Sequence, residues 1–246
     1  MKTSPKSILI TGASGGIGGA LALAYAESGV KLILSGRQLV SLEAQAAKCR
    51  ARGAAVDVAI ADVRAASVME RLLDAHRPEM VIAAAGVSGG SLGGAEDAAQ
   101  ARAIFDTNLM GTVNTVAPAL PYAKRVVVIS SMAGFRGLPS APAYSASKCA
   151  VRAWGQALAG LGLPVTVACP GFVRTAMTAK NGFAMPFMLD ADKAARIIKA
   201  AADKGRAQVI FPLGMRCAAF LLKYLPEWLL ARLVRRLPGK QAMGRA

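Results

Sequence analysis

The feature that most constrains this chain is an alternation of short apolar runs with longer helical stretches. Runs suited to buried parallel strands recur at Ser7–Thr11, Lys31–Ser35, Ala55–Ala59, Met80–Ala84, Val126–Ser130, Val165–Ala168 and Gln208–Phe211. Between them lie Ile17–Ser28, Leu39–Ala51, Ser67–Ala75, Ala95–Tyr122, Tyr144–Leu161 and Ala191–Lys204, each long enough for a helix. Parallel neighbours need a crossover, and a helix is the usual one, so the pattern predicts an α/β fold: a doubly wound, Rossmann-type domain with a seven-stranded parallel sheet flanked by helices. Residues 1–212 are read as that domain and 213–246 as a basic amphipathic extension of it. At 246 residues with 54% apolar composition, the chain has enough apolar surface for one ample core.

Composition narrows the setting. Met1–Pro5 leads straight into a strand-like segment without a long apolar region, so no secretory signal is read. The uncharged stretch Ala153–Val173 has the length of a membrane span, but Gly155, Gly160, Gly162, Pro164, Pro170 and Gly171 divide it into helix, turn and strand. Cys49, Cys149, Cys169 and Cys217 lack metal-binding or disulfide-framework spacing, and a cytoplasmic location fits.

The first strand runs into Thr11-Gly12-Ala13-Ser14-Gly15-Gly16-Ile17-Gly18 and then a helix. Glycines at 12, 16 and 18 permit a tight turn and close approach of a pyrophosphate, whose charge suits the free N–H groups of a helix N-terminus. Ser14 and Ile17 fall in the same turn. These residues also satisfy Gly-x-Ser-x-Gly, the nucleophile elbow of hydrolases. Against that, only one strand can precede Ser14, and the sole histidine, His76, lies in a charged stretch that reads as a solvated helix end. After the second strand the chain reads Ser35-Gly36-Arg37, where an NAD-selective site would place a carboxylate. A guanidinium there suits a 2′-phosphate, which predicts NADP(H). Asp62 and Val63, after the third strand, are positioned for the adenine edge.

Tyr144 and Lys148 stand at i and i+4 on one helix face. A phenol with an ordinary pKa near 10 is a sluggish proton donor, and an adjacent ammonium favours the phenolate. Ser131, at the end of the fifth strand, can orient a substrate oxygen. In isolation a Tyr-x-x-x-Lys pair is an ordinary helix surface pair, so the assignment depends on the surrounding motifs.

Taken in order, these motifs resemble the short-chain dehydrogenase/reductase family over nearly the whole chain. Thr11–Gly18 resembles its cofactor turn, Asp62-Val63 its adenine contact, Thr107–Gly111 the segment of its structural asparagine, Ser130–Gly134 its serine segment, and Tyr144–Lys148 its Tyr-x-x-x-Lys. Pro170-Gly171-Phe172-Val173-Arg174-Thr175 resembles its Pro-Gly segment, where the backbone near Val173 and the Thr175 hydroxyl meet the nicotinamide carboxamide. The resemblance implies Tyr144 as acid in reduction and base in oxidation, Ser131 as orienting donor, Lys148 as the cation that lowers the tyrosine pKa and bonds the ribose, and Asn108 as holder of a relay water. It also implies cofactor contacts from Ala84 and Gly86, a homodimer or homotetramer, and carbonyl–alcohol interconversion with NADP(H). A non-catalytic NADP-binding regulator is the alternative. One departure is visible: the family often has Asn-Ala-Gly where this chain has Ala84-Ala85-Gly86, which removes an amide that braces the central sheet.

Met177, Phe183, Met185, Pro186, Phe187 and Met188 follow Thr175 in the segment that forms a lid in this family, and with Phe135 and Leu138 they predict a lipophilic carbonyl or alcohol substrate. The formal net charge is +16 and is concentrated toward the C-terminus. Leu229, Leu230, Leu233, Val234 and Leu237 form one stripe and Arg232, Arg235 and Arg236 another. Residues 213–237 therefore suit either an anionic membrane surface or packing within the protein or its assembly. Without a recognition module, nucleic acid is not expected as a partner.

Overall fold

The computed structural model describes residues 5–90, 96–179 and 181–214. Seven parallel strands form the central sheet: β1 (Ser7–Thr11), β2 (Lys31–Gly36), β3 (Ala55–Ile60), β4 (Met80–Ala83), β5 (Arg125–Ile129), β6 (Val165–Pro170) and a last strand at Gln208–Phe211. Their spatial order is β3-β2-β1-β4-β5-β6 followed by Gln208–Phe211. The predicted fold class and all seven strands are present, with ends displaced by at most two residues. β4 stops at Ala83, which leaves Ala84 in the following loop, and β6 runs on through Pro170.

The sheet is buried on both sides because its strands carry apolar residues at successive positions. Ile8, Ile10, Leu32 and Leu34 face α1 (Gly16–Tyr25) and α2 (Leu39–Arg50), whose Leu21, Tyr25, Leu42 and Ala46 complete one core cluster. Leu9, Ile33, Val81 and Val128 face the opposite way, into a second cluster with Met69 and Leu73 of α3 (Ala66–His76). At roughly 25 cal/mol per Å2 of apolar surface buried, such two-sided burial is the main stabilising contribution to this architecture.

The predicted single helix Ala95–Tyr122 is a correction. Within it the structure has α4 (Ala98–Phe105), a π-helical turn at Asp106–Met110, α5 (Gly111–Val116) and a 3-10 turn at Ala117–Ala119. The wide turn falls at Asn108, where the side chain is drawn into bonds with a neighbouring loop. π-helical insertions occur where a helix gives up regularity for such a contact. Next comes α6 (Pro142–Gly160), which lies so close to β6 that a Cβ on Gly155 would stand 2.6 Å from Val167. The short segment between β6 and the final helix holds a two-strand ladder absent from the sequence reading: β7 (Val173–Arg174) pairs with β8 (Leu189–Asp190), flanking α7 (Ala176–Ala179). The final helix, α8 (Ala191–Asp203), packs on α1, and the seventh sheet strand is β9 (Gln208–Phe211).

Among the described residues, no helix is long and apolar enough to cross a membrane. Most of the proposed amphipathic extension, residues 215–246, lies outside the described residues, as do Cys217 and residues 91–94 of the glycine-rich loop.

Candidate active site

β1 and β4 are neighbours in space although the chain visits β2 and β3 between them, so the loops after β1 and β4 diverge to opposite sides and open a crevice at the carboxyl ends of the strands. A cleft of about 480 Å3 occupies this place. Gly12, Ser14, Gly16, Ile17 and Gly18 line it after β1, Arg37 after β2, and Asp62 and Val63 after β3. Ala84 and Gly86 follow β4, Ser131 follows β5, and Pro170, Gly171, Val173 and Thr175 come from the end of β6 and beyond. Tyr144 and Lys148 reach in from α6. Every residue predicted to contact cofactor thus lines one cleft.

The glycine turn is shaped by close backbone approach. Gly12 has φ +67°, and a Cβ there would lie 2.8 Å from both the N and Cα of Ala85. Gly18 has its Cα against the Gly12 carbonyl, with no space for a side chain. Gly15, preceding α1, provides no side-chain cap, so the helix presents its first N–H groups to the cleft. This is the chemistry a pyrophosphate requires, and the residues fit a dinucleotide.

Ala84-Ala85-Gly86 is braced without the missing amide. The Thr11 hydroxyl oxygen accepts the N–H groups of Ala84 and Ala85 at 3.2 and 3.3 Å. Asn108 secures the next residue, accepting from Val87 N–H at 2.8 Å and donating to its carbonyl at 3.0 Å. The Asn108 amide also donates to Ser147 Oγ at 3.1 Å. Asn108 is fully buried behind the cleft rather than on its surface. A Cβ on Gly86 would lie 3.2 Å from Asn108 Oδ1 and 3.6 Å from Lys148 Nζ, so glycine lets these two groups approach the loop.

Ser131 is held against α6 by several fastenings. Ser130 Oγ donates to the Lys148 carbonyl at 2.8 Å, and Arg152 Nε donates to the Gly134 carbonyl at 2.7 Å. Gly134 lies so near α6 that a Cβ would come within 2.6 Å of the Lys148 carbonyl oxygen. Ser131 and Tyr144 are joined by a side-chain hydrogen bond, which favours the phenolate, but burial is the larger influence and pushes the Tyr144 pKa above its ordinary value. The expected lysine effect on the phenol is not seen in this geometry. Lys148 Nζ is 6.0 Å from the Tyr144 ring centroid and donates to the Ile129 carbonyl at 2.9 Å. Burial brings the lysine itself down to about 8. At pH 7 roughly nine in ten such groups still carry the charge.

Other expectations separate here. Of the apolar lid residues, Met177 lines the cleft. Phe183 instead packs edge-on to Phe172 at 6.1 Å between ring centroids. Phe135 lies beneath the Arg152 guanidinium at 4.5 Å. His76 ends α3 with Nδ1 3.7 Å from Asp57, away from the residues that line the cleft with Ser14, so the elbow reading has no base. Asp62 is paired with Arg64 at 2.6 Å, and that partner holds its carboxyl below the usual range. Gln38, Ser41, Thr107 and Thr178 also line the cleft and were missed. Polar residues just beyond Arg37 at the start of α2 were the available signal for the first two.

A doubly wound sheet with a dinucleotide cradle beside a half-buried serine and tyrosine and a buried lysine defines a nucleotide-dependent oxidoreductase site. Comparison with known proteins gives the family: the short chain dehydrogenase model matches residues 6–186. An uncharacterised oxidoreductase of Myxococcus xanthus is 37% identical over 248 residues, covering 95% of this chain and 98% of its own. Another, from Mycobacterium tuberculosis, is 32% identical over 83% of this chain and 88% of its own. A short-chain dehydrogenase from Sphingobium yanoikuyae in complex with NADPH superposes with TM-score 0.77 at 25% identity, covering 98% of this chain and 99% of that one. A Burkholderia phymatum member in complex with NAD shares the fold at TM-score 0.80 and 23% identity over 99% of both chains. The chain belongs to the short-chain dehydrogenase family. It is an oxidoreductase built for a nicotinamide dinucleotide.

Proposed function

We propose that this oxidoreductase interconverts a carbonyl and an alcohol with NADP(H), acting on a lipophilic substrate. The observation that carries the reading is the convergence of Ser131, Tyr144 and Lys148 on the cleft that the glycine turn opens into. NADPH, when bound, supplies the hydride. Ser131 orients the substrate oxygen through its hydroxyl, and Tyr144 gives that oxygen its proton in reduction and removes one in oxidation. Burial raises the phenol further above neutrality, so proton transfer from it calls for a partner that stabilises the phenolate. Lys148, still mostly charged at neutral pH, stabilises phenolate after the proton has left. Asn108 holds the loop after β4 in register with α6 through Val87 and Ser147, its backbone carbonyl accepts the Thr112 hydroxyl at 2.6 Å, and its part as holder of a relay water near Lys148 is what the family resemblance implies.

Arg37 supports the choice of NADP(H), since it lines the cleft beyond β2 where an acidic residue would repel a 2′-phosphate. Met177 on the cleft and the apolar residues following it support a lipophilic substrate. A homodimer or homotetramer, and contact of residues 213–237 with an anionic membrane surface, complete the proposal; vesicle sedimentation of the full chain against one ending at Pro212 tests the latter.

The deciding experiment measures NADPH and NADH binding by fluorescence, then NADPH consumption with a panel of lipophilic ketones and aldehydes. Wild type and Tyr144→Phe are expected to bind NADPH alike, with consumption by wild type only. Arg37→Asp is expected to weaken NADPH at least tenfold more than NADH. Turnover by Tyr144→Phe at the wild-type rate overturns the assignment of the acid, and equal weakening of both dinucleotides overturns that of the cofactor.

A further inference from the structure

Tyr144 is the third residue of α6, so the proton it transfers is only as well placed as the start of that helix. A helix leaves its first N–H groups without partners inside the helix. Here Pro142 has none to satisfy, and Ala141 at the cap position offers no side-chain acceptor. The Ala143 N–H instead donates to Glu96 Oε2 at 2.7 Å, across 47 positions of sequence. Glu96 is itself gripped: Oε1 accepts from Gln100 Nε2 at 2.9 Å, and the same nitrogen donates to the Gly90 carbonyl at 3.2 Å. Gln100 is buried, and it fits because the neighbouring Gly89 lacks a side chain: a Cβ there would lie 2.6 Å from it.

We propose that Glu96 is a positioning residue for Tyr144, anchoring the first turn of the catalytic helix to the loop after β4. The inference rests on the reading of Tyr144 as the acid. A charge-assisted hydrogen bond at a helix N-terminus is stronger than a neutral one, because the helix dipole and the carboxylate attract. Any cap would stabilise the helix locally. This one also fixes its height relative to a loop whose Val87 is held by Asn108, so the phenol and the loop after β4 keep one spacing. Displacement of a reacting group by about 1 Å can cost on the order of a hundredfold in rate, and a frayed first turn permits smaller excursions.

The test uses Glu96→Ala, Glu96→Gln and, as a control, Asp97→Ala, whose carboxylate caps α4 by accepting from Ala99 N–H at 3.2 Å. Hydrogen exchange across residues 142–147 is followed without substrate, and kcat, KM and NADPH affinity are followed with a ketone that wild type reduces. Glu96→Ala is expected to speed exchange in that segment and lower kcat about tenfold, with KM and NADPH affinity within about twofold of wild type. Glu96→Gln, which keeps an acceptor, recovers most of kcat, whereas Asp97→Ala leaves both kcat and exchange in α6 unchanged. Wild-type kcat in Glu96→Ala overturns the proposal, as does a loss that glutamine fails to recover or unchanged exchange at the start of α6. A wild type that binds NADPH but reduces nothing in the panel refutes the role of Tyr144, and with it any role for Glu96 in placing that group.

Discussion

Replacing Lys148 with methionine should remove the site's function and, at neutral pH, a source of instability in the fold. Only 5% of Lys148 is exposed, and burial lowers its pKa from 10.5 to about 8. For a base whose folded pKa is depressed, the unfolded chain binds more protons between the two values, so stability rises with pH through that window. The full shift corresponds to about 3 kcal/mol against the folded state at pH 7, at 1.36 kcal/mol per pH unit. Integrating the linkage relation with these two pKa values relieves roughly 2 kcal/mol of that cost between pH 7 and pH 9.5. Methionine has a similar length and no charge to bury, although it leaves the Ile129 carbonyl without the lysine donor, a pH-independent cost of about 1 to 3 kcal/mol. That constant offset cancels when the two proteins are compared across pH. Urea unfolding of cofactor-free wild type and Lys148→Met should therefore show the wild-type stability gaining on the variant by about 2 kcal/mol from pH 7 to pH 9.5. Parallel curves across that range would refute the reasoning, since they would mean that the buried lysine carries no ionisation penalty.

Three further outcomes follow from the geometry. Asn108→Ala removes the partner of both polar groups of Val87 and a donor to Ser147; it should cost about 2 to 4 kcal/mol, read as a fall in Tm of at least about 4 °C. Gly12→Ala combines a positive φ with collision against Ala85 backbone, so NADPH binding should be lost by fluorescence titration; retention of wild-type affinity would show that the turn can open without cost. Gly134→Ala forces the serine segment away from the Lys148 carbonyl, and overpacking of this kind costs about 1 to 3 kcal/mol, measurable in the same urea experiment together with a lower kcat.

The sheet was legible because its inner strands β1, β2, β4, β5 and β6 are buried on both faces and so are apolar at successive positions, whereas the edge strands β3 and β9 are only half-buried. Ser7–Thr11 was readable to the residue for that reason, and the half-buried Gln208–Phe211 was matched to the residue as a short apolar run. The stretch 95–122 was not. Its apolar pattern is helical throughout, and the π turn exists because the Asn108 side chain satisfies Val87, a partner 21 positions away that periodicity does not encode. The ladder Val173–Arg174 with Leu189–Asp190 was missed on the same grounds: two residues per strand are too few to show a period.

The glycine turn and the tyrosine–lysine pair were legible as motifs, whereas the groups that hold them in place were not. Thr11 braces Ala84 and Ala85, and nothing local to Ala84-Ala85-Gly86 announces it; the acceptor comes from β1, 73 and 74 positions earlier. Lys148 shows the reverse case. Spacing correctly put it on the tyrosine's face of α6, but its ammonium donates to the Ile129 carbonyl and stands 6.0 Å from the centre of the phenol ring. Burial pushes the Tyr144 phenol up and brings Lys148 down to about 8, so one cause moves the two groups in opposite directions. Both shifts come from desolvation, which in turn comes from α6 lying tightly on the sheet. The small residues Gly134 and Gly155, unremarkable as sequence, permit that packing, since a Cβ on either would come within 2.6 Å of the Lys148 carbonyl or of Val167.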